Sequence, residues 1–141
     1  MSAQTVVVRK VLRASPEEVF NAWLDAEGMS AWMFPGPVIA CRATIDARVG
    51  GAFHIVMDAP GIQFVHRGEY RVLDRPSKIE FTWLSSRMGF EETLVTIELH
   101  PAGDDCELVL THRRVPPKYS APELARGWTQ IVEKLGAHLA R

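Results

Sequence analysis

The hydrophobic period of this chain changes twice, and that pair of changes restricts the fold more than any single motif. From Val38 to about Val115 apolar and polar residues alternate, in runs broken by short turns; after Ser120 the spacing becomes helical. Phe53, Ile55 and Met57 alternate with His54, Val56 and Asp58. Phe64, His66, Gly68, Tyr70 and Val72 share one face of the next run, against Arg67, Glu69 and Arg71, which places Val56 and Leu73 on outer faces. Ile79, Phe81 and Trp83 form a third inward set, Thr93, Val95, Ile97 and Leu99 a fourth, and Cys106, Leu108, Leu110 and His112 a fifth. Period-two runs of this length are half-buried strands. Their separation by short turns, with no crossover helix between them, makes them antiparallel. Gly50-Gly51 is expected to form a tight hairpin turn, and Pro60-Gly61 and Asp74-Arg75-Pro76-Ser77 are further turns.

Helical signals flank the alternating region. The Val-rich segment from Thr5 to Arg13 is a first strand, and Ser15-Pro16-Glu17-Glu18 after it is a capping box with proline at the first helical position. Val19, Phe20, Trp23 and Leu24 give that helix an apolar stripe. Asp25 is expected to cap a second short helix carrying Met29, Trp32 and Met33, which Phe34-Pro35-Gly36-Pro37 stops. A second capping-box pattern, Ser120-Ala121-Pro122-Glu123, opens a long helix whose Leu124, Trp128, Ile131, Leu135 and Leu139 recur every three or four residues. Burying a one-faced sheet and a one-striped helix together predicts an α+β fold. Its sheet, of about six to seven antiparallel strands, curls around the long C-terminal helix, with two short helices after strand 1. A twisted sheet cannot follow a straight helix closely everywhere, so a gap between them is expected.

Charge and composition narrow the function. Sixteen Lys and Arg against seventeen Asp and Glu leave a net charge of −1, so neither nucleic acid nor an anionic membrane is an expected partner. With 47% hydrophobic and 23% charged residues the chain is too apolar for disorder, and its 141 residues suit one domain over 1–141. The N-terminus has no basic segment leading into an apolar run, so a cytoplasmic location is expected. Cys41 and Cys106 are expected to be free, buried thiols. No His-x-x-x-His spacing, phosphate loop or dinucleotide fingerprint occurs, so no metal and no cofactor are expected.

Several segments, in order, resemble a known family. They are Ala14-Ser15-Pro16-Glu17-Glu18-Val19-Phe20-Asn21-Ala22-Trp23, then Trp32, then Asp46-Ala47-Arg48-Val49-Gly50-Gly51-Ala52-Phe53. Gly68-Glu69-Tyr70, Phe81-Thr82-Trp83, Leu108-Val109-Leu110-Thr111-His112 and Gly127-Trp128-Thr129-Gln130 continue the series. The chain resembles the START-like, or SRPBCC, helix-grip superfamily, which includes birch-pollen-allergen proteins and polyketide cyclases. Within it, the chain is most similar to the Aha-type family of activator of heat-shock-protein ATPase homologue-like domains. The family's eukaryotic co-chaperones carry a separate domain ahead of this one; here the family-like strand begins at about residue 5, and chaperone activation is not carried over.

The resemblance implies a ligand cavity between the sheet and the last helix. Trp32, Phe53, Tyr70, Trp83 and Trp128 are the aromatic candidates for its lining, with His66 and His112 as polar members and Ile55, Phe81, Leu110, Ile131 and Leu135 around them. His112 shares the phase of Leu108 and Leu110; it is either a ligand contact or a structural histidine bonded to a backbone carbonyl or to Tyr70. Excess inward aromatics with few polar groups among them favour a non-catalytic protein that binds a small apolar or amphipathic molecule. The alternatives are a cyclase, dehydratase or hydrolase using His112 or Tyr70, and an interaction module, either chaperone-related or a homodimer through a sheet face or edge.

Overall fold

In the computed structural model, which describes residues 2–140, the alternating region forms six consecutive antiparallel strands. They are β2 (Ala40–Ile45), β3 (Ala52–Ala59), β4 (Ile62–Asp74), β5 (Lys78–Ser85), β6 (Thr93–Ala102) and β7 (Asp105–Val115). The first strand, β1 (Gln4–Leu12), pairs with β7, giving the order β1-β7-β6-β5-β4-β3-β2 across one curved sheet. The inward sets of β3, β5, β6 and β7, together with Tyr70 of β4, are buried in one continuous core, and Phe64 is partly buried against it.

Two features of the sheet differ from the sequence expectation. Tyr70 pairs with Phe81, but Val72 pairs with Glu80, so Arg71 is an extra residue on β4. Such a bulge shifts the alternation by one position. Leu73 therefore lies opposite Ile79 and packs on the core, while Val72 takes the outer phase of Glu80, the reverse of the expected assignment. Gly50-Gly51 does not make a two-residue hairpin either. It ends a six-residue connection, 46–51, and ties that loop to β4: Gly50 N–H donates to the Tyr70 carbonyl (2.8 Å), and Tyr70 N–H donates to the Gly51 carbonyl (3.0 Å). Gly50 holds φ +85°, where a side chain would be strained.

Helix α1 (Pro16–Trp23) begins with the reciprocal cap its sequence specifies. Ser15 Oγ accepts from Glu18 N–H at 3.2 Å, and the Glu18 carboxylate accepts from Ser15 N–H at 3.1 Å. Ser15→Ala is expected to lower stability by about 1 kcal/mol, read from the urea midpoint at unchanged slope. The second short helix is smaller than expected, a single 3₁₀ turn over Gly28–Ala31 whose Gly28 N–H donates to Asp25 Oδ1. Trp32 and Met33 follow that turn rather than lying within it, and both are buried.

Helix α2 (Ala121–Leu139) covers the concave face with Trp128, Ile131, Val132, Leu135 and Gly136. Its second half lies on β1 at a distance only glycine permits comfortably, because a Cβ on Gly136 would stand 3.0 Å from Leu12 Cδ2. Its middle is tied to the Phe34–Gly36 segment. Gln130 Oε1 accepts from Gly36 N–H at 2.6 Å, and the Lys134 ammonium donates to the Phe34 carbonyl. Cys41 and Cys106 are buried free thiols, and burial pushes the pKa of both up to about 11. Among the described residues no helix is long and apolar enough to cross a membrane.

Candidate functional site

Where the first half of α2 passes over β3, β4 and β5, the concave face is not filled, and a cleft of about 140 Å³ remains. The alternation of β3 and β5 sends Met57 and Trp83 into it, and the helical stripe of α2 supplies Trp128 and Ile131 from above. Trp83 and Trp128 meet at the inner wall, ring centroids 5.0 Å apart. Met88, from the 3₁₀ turn Ser86–Met88 that follows β5, adds a further apolar wall. Gly127 also lines the cleft; the sequence leaves open whether it serves close packing or space, and a Cβ there would meet only Pro35, at 3.9 Å.

The polar groups of the cleft are few. Ser85 Oγ accepts from Arg87 N–H and so fixes the turn that brings Arg87 to the cleft. The Arg87 guanidinium itself lies over the Phe64 ring, 4.7 Å from its centroid. At the start of α2, Ser120 caps Glu123 N–H, while the Glu123 side chain lines the cleft. His66 is the buried member, 4% exposed, with its ring stacked on Trp83 (4.6 Å, interplanar angle 17°). Neither of its ring nitrogens has a hydrogen-bond partner among the described residues. Burial, helped by the nearby positive charge of Arg87, holds its pKa down to about 3, so the imidazole is neutral at ordinary pH.

His112 is built differently. It is fully buried, and its Nδ1 accepts from Trp128 Nε1–H at 3.0 Å. The remaining ring proton must then sit on Nε2, which faces Thr93 Oγ1 at 2.7 Å, and the Thr93 hydroxyl donates onward to the Trp83 carbonyl at 2.6 Å. Every group in this chain is satisfied, so His112 is a structural histidine whose partners are Trp128 and Thr93 rather than a carbonyl or Tyr70. Burial alone lowers its pKa to about 4.

Four of the residues picked from sequence, His66, Trp83, Trp128 and Ile131, line this cleft. Phe53, Ile55, Tyr70 and Phe81 line, with Trp83, a separate void of only about 10 Å³ beside Trp23, room for about one water. Burial raises the Tyr70 phenol above its ordinary range. Trp32, Leu110, His112 and Leu135 line neither of these two spaces and are buried in the core. The cleft also draws on Pro35, Ser85, Arg87, Met88, Tyr119 and Glu123, none of which sequence reasoning selects. Met57 is within reach of such reasoning, because it shares the phase of Phe53 and Ile55.

With the geometry established, comparison with known proteins places the chain. The family model described as "Activator of Hsp90 ATPase homolog 1-like protein" matches residues 13–140. Among solved structures, protein CV1439 from Chromobacterium violaceum is similar at 26% identity and a TM-score of 0.86, over 97% of each chain. Protein Mll3558 from Rhizobium loti gives 23% identity and a TM-score of 0.80, also over 97% of each chain. PFC0360w, an HSP90 activator from Plasmodium falciparum, gives 24% identity and 0.73, over 96% of this chain and 95% of that one. The last two likenesses are of fold alone. A comparison with curated protein sequences finds no match.

Proposed function

The chain belongs to the activator of Hsp90 ATPase homolog 1-like family, and from that premise we propose that it binds a small apolar or amphipathic molecule between the sheet and α2, holding it without turnover. The observation that carries this reading is the cleft of about 140 Å³ with Trp83, Trp128, Met57, Met88 and Ile131 as walls and few polar groups among them. Apolar walls with a small number of placed polar groups are the usual composition of small-molecule sites. The volume suits one aromatic ring, since an engineered apolar cavity of about 150 Å³ takes up benzene. Absence of turnover is supported by the histidines. His112 has no free nitrogen, and an imidazole with a pKa of about 3 or 4 is a poor base near neutrality.

A ring-sized apolar compound at a hundred times its dissociation constant adds about 2.7 kcal/mol, which raises the melting temperature of a chain this size by roughly 5–10 °C. Gly127→Leu, which places an isobutyl group beside Pro35 in the cleft, is expected to abolish that shift while the protein stays folded. A compound panel with no shift in the wild-type protein would discard the reading. A chaperone ATPase stimulated by the chain in the same preparation would turn attention to the activity the family's description names.

A further inference from the structure

We infer that the ligand of the cleft is an uncharged aromatic molecule of about one ring carrying a hydroxyl group, and that His66 is the residue that recognises the hydroxyl. This rests on the ligand-binding reading above and adds to it the chemical class and the selecting residue. His66 is 4% exposed, lines the cleft and has both ring nitrogens unpartnered among the described residues. Buried polar atoms are nearly always satisfied, so a pair of orphans on one ring calls for an explanation. The same core satisfies both nitrogens of His112, with Trp128 from α2 and Thr93 from β6, so the fold is able to accommodate a closed imidazole. At His66 it leaves both nitrogens buried and unpartnered among the described residues, on a ring that lines the cleft.

The ligand's features follow from what surrounds that ring. Trp83 occupies one face of the imidazole and the cleft adjoins the same ring, so a guest that reaches the nitrogens comes from the cleft side with a small shift of the ring. A neutral imidazole presents one donor and one acceptor, and a hydroxyl serves either, accepting from N–H or donating to the bare nitrogen. The indoles of Trp83 and Trp128 offer flat apolar surface, and the volume between the walls holds about one ring. The two charged side chains lining the cleft, Arg87 and Glu123, are of opposite sign, so neither an anion nor a cation is favoured over a neutral molecule.

The test is calorimetric titration of the protein with phenol, toluene and benzoate. A purely apolar cleft ranks toluene above phenol, because the phenol hydroxyl must leave water without compensation. With His66 as partner, phenol is expected to bind at least as tightly as toluene and more tightly than benzoate. His66→Phe is expected to weaken phenol about tenfold while toluene changes by less than about twofold. If that variant does not fold, the imidazole ¹⁵N resonances of His66 in the wild-type protein provide the second readout, expected to move with phenol and not with toluene. Toluene binding more tightly than phenol, a phenol-to-toluene ratio unchanged in His66→Phe, or imidazole resonances indifferent to phenol would overturn the assignment of His66. Benzoate binding more tightly than phenol would overturn the uncharged class. If none of the three compounds binds, the ligand-binding reading falls and this inference falls with it.

Discussion

Taking the protein from pH 7 to pH 4 is expected to remove about 6 kcal/mol of stability, nearly all of it through His66 and His112. Both are buried and neutral in the folded state, with pKa values lowered to about 3 and about 4 from an ordinary 6.5. Desolvation is the main cause in each case, with the Arg87 charge adding to it at His66. As pH falls below 6.5 the unfolded chain takes up a proton at each site and the folded chain does not, so the equilibrium moves toward unfolding. Their contribution is therefore fully present above about pH 6.5, declines through pH 5, and levels off only below the folded pKa values. A tenfold difference in proton affinity between the folded and unfolded chain is worth about 1.4 kcal/mol, so each histidine accounts for about 3 kcal/mol by pH 4. Against a total stability of about 5–15 kcal/mol, that is enough to unfold the chain or leave it marginal. Urea midpoints measured at pH 7, 6, 5 and 4 would follow the decline, and His66→Phe should remove about half of the pH-dependent slope whatever it does to the absolute level. Equal midpoints at pH 7 and 4.5, or an unchanged slope in the variant, would contradict the argument.

The two histidines also show how far sequence carries and where it stops. Alternation over Phe53–Met57, Ile79–Trp83 and Cys106–His112 is enough to specify inward faces, strand order by short turns, and a helix gripped by the sheet, because periodicity reports burial directly. It is blind to the bulge at Arg71, since an extra residue leaves no compositional trace and only pairing reveals it. Phase also cannot separate His66 from His112. Both lie on inward faces, and what distinguishes them is whether a partner comes from another element: Thr93 on β6 and Trp128 on α2 for His112, and no described group for His66. The extent of the cleft is hidden for the same reason. Phase groups all the inward aromatics as one lining, yet where α2 and the Phe34–Gly36 segment come down on them decides which are packed and which face space. Arg87, Met88 and Tyr119 reach the cleft through irregular segments, where no period exists to announce them.

Gly68→Ala is expected to cost about 4 kcal/mol and to lower the melting temperature by roughly 10 °C or more. The reason is room, because Gly68 does not have a positive φ. A Cβ built there would stand 1.8 Å from the Thr82 carbonyl oxygen and 2.6 Å from the Phe53 ring. Neither neighbour can move cheaply. The Thr82 carbonyl is backbone of β5, and the Thr82 side chain already accepts from Glu69 N–H at 2.9 Å, fastening β5 to β4 at this level. Phe53 is held by Tyr70, Phe81 and Trp83, with ring centroids at 5.6, 5.2 and 6.0 Å. Displacing that ring pushes on Trp83, which carries the stack with His66 and forms the inner wall of the cleft. The substitution should therefore weaken ligand binding as well as the fold, although position 68 does not line the cleft. Gly103→Ala is the control: its φ of +64° is strained for alanine, but nothing lies within 4 Å of the added methyl. It should cost only the roughly 1–2 kcal/mol of a left-handed residue. A Gly68→Ala protein melting within about two or three degrees of wild type, or less destabilised than Gly103→Ala, would mean that β4 and β5 do not approach as closely as the Thr82 carbonyl requires.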